Sequence, residues 1–226
     1  MIITFISDTH TKHKKIENDL PGGDVIIHAG DCMSSGYSFQ ELRNFLKWFN
    51  SLNSYTHKIF IGGNHDRVLE NEPEQSQKLL AEYPFITYLQ DTYTTSPNCK
   101  IYGTPWQPEF CNWAFNLPRD SEILQAKWEL IPENTDILVT HGPPYGLLDI
   151  PGGQSTRVGC QLLRSKIEKI KPKIHVFGHI HGSAGYIYQD GTHFLNASVL
   201  NEQYMYTNLP LTFDWDPCTN LIKWYK

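Results

Sequence analysis

The sequence predicts an α/β fold, and three observations carry that expectation. Short apolar, β-branched runs recur along the chain, each the length of a buried strand. Between them lie segments whose apolar residues repeat at helical spacing. The strand-like runs end in Asp, Asn or His, often beside glycine, and in α/β sheets ligands collect at the carboxyl ends of strands.

The elements follow in order. Ile2-Ile3-Thr4-Phe5-Ile6-Ser7 reads as a central strand and runs into Asp8-Thr9-His10. Residues two apart on extended chain face one way, so Asp8 and His10 can share an ion. Asp24-Val25-Ile26-Ile27-His28-Ala29 is a second strand ending at Gly30-Asp31, with His28 inside it as a core or supporting histidine. Residues 39–52 place Phe39, Leu42, Phe45, Leu46 and Phe49 on one helical face, with Ser38 as cap and Glu41 three residues on. Lys58-Ile59-Phe60-Ile61 leads into Gly62-Gly63-Asn64-His65-Asp66, where two glycines permit a sharp turn and close approach. A helix over 74–83 stops before Pro84. After the strand at Lys100-Ile101-Tyr102-Gly103 comes an irregular segment, 104–117, holding Trp106, Phe110, Trp113 and Phe115. A loop this aromatic serves either the core or a ligand. Residues 121–129 are helical. Asp136-Ile137-Leu138-Val139-Thr140 ends at His141-Gly142-Pro143-Pro144. Arg157 precedes a helix over 160–170 and is placed to reach an anion, although a surface role competes. Lys173-Ile174-His175-Val176-Phe177 ends at Gly178-His179-Ile180-His181. His13, His57, His175 and His193 read as structural, and the tail alternates short strands at 185–188, 193–196, 211–215 and 221–225.

A chain of 226 residues, 40% hydrophobic, supports one domain over residues 1–226 without a separate cap. The net charge of −5 and the lack of a long Lys/Arg run argue against a nucleic-acid polymer or membrane surface held by bulk charge. No apolar run reaches the ~20 residues that span a bilayer. Five scattered cysteines without a CxxC, and a start directly on a strand, predict free thiols in the cytoplasm. Asn196-Ala197-Ser198 matches a glycosylation acceptor, read here as chance.

Seven residues at five strand ends then share one chemistry: Asp8, His10, Asp31, Asn64, His141, His179 and His181. They are too many for one tetrahedral ion. They suit two ions that share a carboxylate, about 3.5–4 Å apart, the arrangement used for phosphoryl hydrolysis. Mixed N and O donors without thiolate favour Mn, Fe, Zn or similar ions over Ca and do not choose among them; two divalent transition-metal ions are expected, Mn first, with Fe, Zn, Co or Ni as alternatives.

The series Asp8-x-His10, Gly30-Asp31, Gly63-Asn64-His65-Asp66, His141 and Gly178-His179-x-His181 resembles, in order, the calcineurin-like binuclear metallophosphoesterase superfamily. Gly103-x-Pro105-Trp106, Phe115-Asn116-Leu117-Pro118-Arg119, Arg157-Val158-Gly159-Cys160 and Asn196-Ala197-Ser198 look like its metallophosphoesterase-domain-containing, fetal-brain subfamily. Two departures stand out: Asp66 where relatives carry Glu, and His179 where some carry glycine. The resemblance implies a four-layer α-β-β-α sandwich of two mixed sheets. It implies one metal on Asp8, His10, His181 and Asp31, and another on Asn64, His141, His179 and the shared Asp31. A hydroxide between the ions would be the nucleophile and His65 the proton donor to the leaving group, with Asp66 orienting His65 or satisfying the turn. The subfamily, like class III cyclic-nucleotide phosphodiesterases, implies a small phosphodiester such as a 2′,3′- or 3′,5′-cyclic nucleotide. Asn64, His65, Trp106, Trp113 and Arg157 would contact it, the indoles by stacking on a base. Rival readings are a phosphomonoesterase or protein phosphatase, a nuclease, and a metal-bearing interaction module with little turnover.

Overall fold

A computed structural model describes residues 1–96 and 98–225. Two six-stranded mixed sheets lie face to face with helices outside, as expected. The first sheet runs β14-β13-β1-β2-β3-β4, with β1 Ile2–Ile6, β2 Gly23–His28, β3 Tyr55–Phe60, β4 Ile86–Tyr88, β13 Leu211–Asp216 and β14 Leu221–Trp224. Strands β1 to β4 are parallel neighbours, and β13 joins β1 antiparallel. The second sheet runs β11-β12-β10-β9-β6-β5, with β5 Thr92–Thr95, β6 Lys100–Thr104, β9 Ile137–Thr140, β10 Ile174–Phe177, β11 Gly185–Gln189 and β12 Thr192–Asn196. Here β6, β9, β10 and β12 are parallel, and β5 and β11 close the edges antiparallel. A short ladder pairs β7 Gln107–Pro108 with β8 Asn116–Leu117 inside the aromatic segment.

The period-two alternation of the strands sorts their side chains into layers. Ile3, Phe5, Val25, Ile27 and Ile59 of the first sheet meet Ile101, Ile137, Val139, Ile174 and Val176 of the second. Residues on the other faces pack against helices. Ile26 and Phe60 meet Leu42, Phe45, Leu46 and Phe49 of α1, Phe39–Ser51. Tyr102, Leu138 and Phe177 meet Leu124 and Trp128 of α4, Glu122–Glu129, and Leu163 and Ile167 of α5, Gln161–Ile170. Helices α2, Arg67–Asn71, and α3, Pro73–Ala81, complete the first outer layer.

The caps follow local chemistry. Ser38 accepts from the Gln40 N–H, and Ser121 from Leu124. Glu41 does not close the expected capping box. Its carboxylate accepts from the Ser34 N–H at 2.9 Å and so ties down the loop after β2. His28 and His175 lie in the outer faces of β2 and β10, fully buried, and burial holds both neutral, at about 3. Each sits beneath the strand-end loops: His28 Nε2 is 2.9 Å from Thr9 Oγ1, and His175 Nε2 is 2.9 Å from Thr140 Oγ1. Cys32, Cys99, Cys111, Cys160 and Cys218 are free thiols, and no helix among the described residues is long and apolar enough to cross a membrane.

Candidate metal centre

The carboxyl ends of five parallel strands converge on one rim. The first sheet supplies Asp8 and His10 after β1, Asp31 after β2, and Asn64 and His65 after β3. The second supplies His141 after β9, and His179 and His181 after β10. Nitrogen and carboxylate donors fall into three overlapping groups, Asp8/His10/His181, His10/Asp31/His65 and Asp31/His141/His179, each with its donor atoms within 4.8 Å of one another. Asn64 joins the last group, its Oδ1 2.9 Å from His141 Nε2.

The spacing fits metal ions. Bonds of about 2.0–2.2 Å put neighbouring donors of one ion roughly 2.9–3.6 Å apart. His181 Nε2 lies 3.3 Å from Asp8 Oδ1 and 3.3 Å from His10 Nε2. His141 Nε2 lies 3.3 Å from Asp31 Oδ2. His10 Nε2 is slightly wider, 3.7 Å from Asp31 Oδ2 and 3.9 Å from Asp8 Oδ1. Tautomers fit as well. The Nδ1 atoms of His10, His141 and His181 face the carbonyls of Met33, Ala29 and Asn201 at 2.9–3.0 Å. A carbonyl can only accept, so Nδ1 carries hydrogen and Nε2 is the atom offered to the site, as in metal-binding histidines generally.

The backbone is bent to make this rim. Asp8, His10, Asp31 and His179 all have φ between 39° and 68°. That left-handed region costs non-glycine residues about 1–3 kcal/mol each and persists where the surroundings enforce it. The enforcement is visible at Asp8, whose carboxylate accepts from the His179 N–H at 3.0 Å and from Ser198 Oγ at 2.7 Å. Gly178 allows that approach, because a Cβ there would sit 2.1 Å from Asp8 Oδ2. Asn196 and Ser198 are buried, with Asn196 Nδ2 on the Ile180 carbonyl at 2.8 Å. The Asn-Ala-Ser run therefore braces the rim and is sealed from modification.

The charges balance in pairs. Burial pushes Asp8 and Asp31 up, but the surrounding histidines together outweigh it, led by His181 at Asp8 and by His141 at Asp31, and hold both well below the usual carboxylate range. Burial pushes His141 and His181 down, but Asp31 and Asp8 overcome it and raise both to about 9. Burial dominates at His10, lowered to about 4, and at His179, lowered to about 3. Among themselves, before any cation is added, these groups therefore favour two carboxylates, two imidazoliums and two neutral imidazoles at neutral pH.

Asp66 does not touch the His65 ring. Its fully buried carboxylate accepts from the N–H groups of Asp31 and Gly63 at 2.8 Å and of Met33 at 2.9 Å. Burial and the Asp31 charge raise it to about 6. Of the two roles the sequence leaves open, turn satisfaction is the one seen, extended to a clamp between two strand-end loops. His65 Nδ1 faces the Ser34 carbonyl.

A cavity of about 490 Å³ opens over the rim, lined by Asp31, Asn64, His65, His179 and His181 among others. Its outer wall departs from expectation. Trp106 and Trp113 are not among its lining residues. Trp106 packs against Phe115 at 5.6 Å, donates its indole N–H to Asp91 at 2.8 Å and carries Lys127 over its ring at 4.2 Å, so it belongs to the core. Arg157 is held by the buried Asp149 at 2.7 Å and does not line the cavity. The cavity is lined instead by Phe110 of the same aromatic segment, and by Arg119 and Tyr204, which the sequence does not assign to a ligand. Phe110 meets His179 edge-on at 5.7 Å, and Tyr204 meets His10 at 4.8 Å and His181 at 5.3 Å. Arg119 donates to the Gly159 and Val158 carbonyls at 2.9 Å. Phe110 lay within the flagged aromatic segment; nothing in the sequence around Tyr204 marks it.

Comparisons with known proteins bear on this geometry. The family model described as calcineurin-like phosphoesterase matches residues 1–183. Metallophosphoesterase domain-containing protein 1 of Homo sapiens is 40% identical over 230 aligned positions, covering 92% of this chain and 69% of that protein. UPF0046 protein T07D4.2 of Caenorhabditis elegans is 37% identical, covering 92% of this chain and 58% of its own length. The crystal structure of TT1561 of Thermus thermophilus superposes with a TM-score of 0.66 at 15% identity over 98% of this chain and 96% of that one, a likeness of fold.

Proposed function

The chain belongs to the calcineurin-like phosphoesterase family, and on that premise we propose that it hydrolyses small phosphodiesters, 2′,3′- or 3′,5′-cyclic nucleotides among them. The observation that carries this reading is the sharing of Asp31 between donor groups on the floor of one cavity. Asp8, His10, His181 and Asp31 would hold one divalent cation; Asn64, His141, His179 and Asp31 would hold the other. Two such ions, Mn first among the candidates, supply charge neutralisation at phosphoryl oxygens and acidify water.

The chain's own groups do the rest. His65 lines the cavity, and with Nδ1 on Ser34 its Nε2 is the atom left to donate a proton to the departing oxygen. Hydrolysis adds water across one P–O bond: the hydroxyl goes to phosphorus as the bond to the alcohol oxygen breaks, that oxygen takes the Nε2 proton of the imidazolium form of His65, and the proton left from water restores it. Beyond the rim the cavity carries Glu109 and Glu202 against Arg119. This balance favours an ester with one phosphate and a neutral body over a polyphosphate or polynucleotide. Phe110 and Tyr204, replacing the indoles expected from sequence, offer ring surface to a base or aryl group. With five free thiols, the cytoplasm is the compartment we assign.

The test is a metal-resolved screen on cyclic nucleotides, aryl phosphodiesters and aryl phosphomonoesters. Diester hydrolysis exceeding monoester hydrolysis with Mn or a similar ion is expected. Monoesters turned over faster would replace this reading with a phosphatase, and no turnover with any ion would leave an interaction module.

A further inference from the structure

A histidine that gives up a proton at a fixed point needs its ring plane fixed, commonly by a carboxylate. Asp66, the adjacent carboxylate, is spent on backbone N–H groups. The His65 ring is confined by other means. The Ser34 carbonyl takes Nδ1. Trp113 stacks on the ring with centroids 4.1 Å apart and planes 23° apart, and His10 meets it edge-on at 4.6 Å and 81°. Trp113 is in turn packed by Arg67, whose guanidinium carbon lies 4.5 Å from the indole centroid and 4.8 Å from the Tyr37 ring. Arg67 also donates to the Asn112 carbonyl, beside Trp113, while its Nε is buried without a hydrogen-bond partner among the described residues. A guanidinium left partly unpaired is held here by rings and one carbonyl, which fits a packing role.

We propose that Trp113 is the positioning residue for His65, with Arg67 and Tyr37 holding Trp113 from the outside. The stack Tyr37–Arg67–Trp113–His65 fixes the imidazole plane so that Nε2 meets the leaving oxygen. The indole is committed to His65 and Arg67 and is not a platform for a nucleobase. This inference rests on the proton-donor role given to His65 above.

The test compares two phosphodiesters, one with a nitrophenolate leaving group that departs unaided and one with an alkoxide that needs a proton. Wild type, Trp113→Phe, Trp113→Ala, Arg67→Met, His65→Ala and the His65→Ala/Trp113→Ala double variant are assayed with metal content and melting temperature recorded. Trp113→Ala is expected to lower kcat on the alkyl ester about 10- to 100-fold, with KM within about twofold and nitrophenyl turnover within about threefold. Trp113→Phe restores most of the loss, and Arg67→Met shows a milder loss of about three- to tenfold with the same selectivity. Coupled residues do not add, so the double variant should match His65→Ala. Equal losses on both esters, or losses that add in the double variant, overturn the inference. A loss of Trp113→Ala to misfolding shifts the decision to Trp113→Phe and Arg67→Met, whose losses must still select the alkyl ester. If His65→Ala selects the alkyl ester and the Trp113 and Arg67 variants do not, the stack alone is refuted. If His65→Ala treats both esters alike, the proton-donor role falls and the stack's purpose with it.

Discussion

Loading the metal-free protein with cations should release protons in a number set by the rim. His141 and His181 have their pKa values raised to about 9 by Asp31 and Asp8, whereas burial lowers His10 to about 4 and His179 to about 3. A cation needs the neutral imidazole, so it displaces whatever proton is there. At pH 7.5 a group of pKa about 9 is ~97% protonated, so the two raised imidazoles give up about two protons per chain and the two lowered ones none. At pH 9 the same pair is half-protonated and gives up about one. Apparent metal affinity therefore climbs with pH up to about 9 and flattens above it. Ionisation of bound water adds to the count at both pH values and largely cancels in the difference. Mn²⁺ titrated calorimetrically into chelator-stripped protein, in buffers of different ionisation enthalpy, counts the protons. Release below about one at pH 7.5, or release that does not fall by about one at pH 9, would refute the paired-charge description of the rim.

Protein grown with added Mn should carry about two ions per chain by elemental analysis; Asp31→Ala should lose metal and activity together, and His65→Ala should keep its metal while turnover drops about 10²–10⁴-fold. Gly178→Ala would push a methyl into Asp8 and Ser7, to 2.1 and 2.2 Å, so metal occupancy should fall while far-ultraviolet circular dichroism holds. Trp106→Ala should cost a few kcal/mol of unfolding free energy, less than the truncation of a fully buried aromatic because Trp106 is half-buried against the core, with activity on all esters falling together; a nucleotide-selective rise in KM would instead return Trp106 to the substrate.

The rim was legible in the sequence because each ligand sits within a few residues of the end of an apolar run. Strand direction then brings these ends to one rim, but the left-handed backbone at Asp8, His10, Asp31 and His179, not the period of two expected from extended chain, aims the donors. The layers were legible from that period, with Ile3 and Phe5 facing one way and Ile26 and Phe60 the other. What lay in irregular backbone was not. Arg157 finds Asp149 eight residues away through a loop whose path no periodicity records. Tyr204 reaches His10 and His181 from a left-handed turn far along the chain, with φ 56°. The aromatic segment could be flagged as a whole, yet its division among core (Trp106, Phe115), cavity (Phe110) and His65 (Trp113) depends on tertiary partners.

The split of the rim between two sheets has a mechanical consequence. The layer between the sheets is apolar, and apolar contact resists separation while discriminating poorly against sideways slip. Each proposed ion takes donors from both sides of that seam: Asp8, His10 and Asp31 opposite His181, and Asp31 and Asn64 opposite His141 and His179. Bound cations are therefore rivets. They would reinforce, at the rim, a lateral alignment that the hydrogen bonds from the His179 N–H to Asp8 and between His141 Nδ1 and the Ala29 carbonyl already set, so the metals that serve chemistry would also hold the register of the halves that carry it.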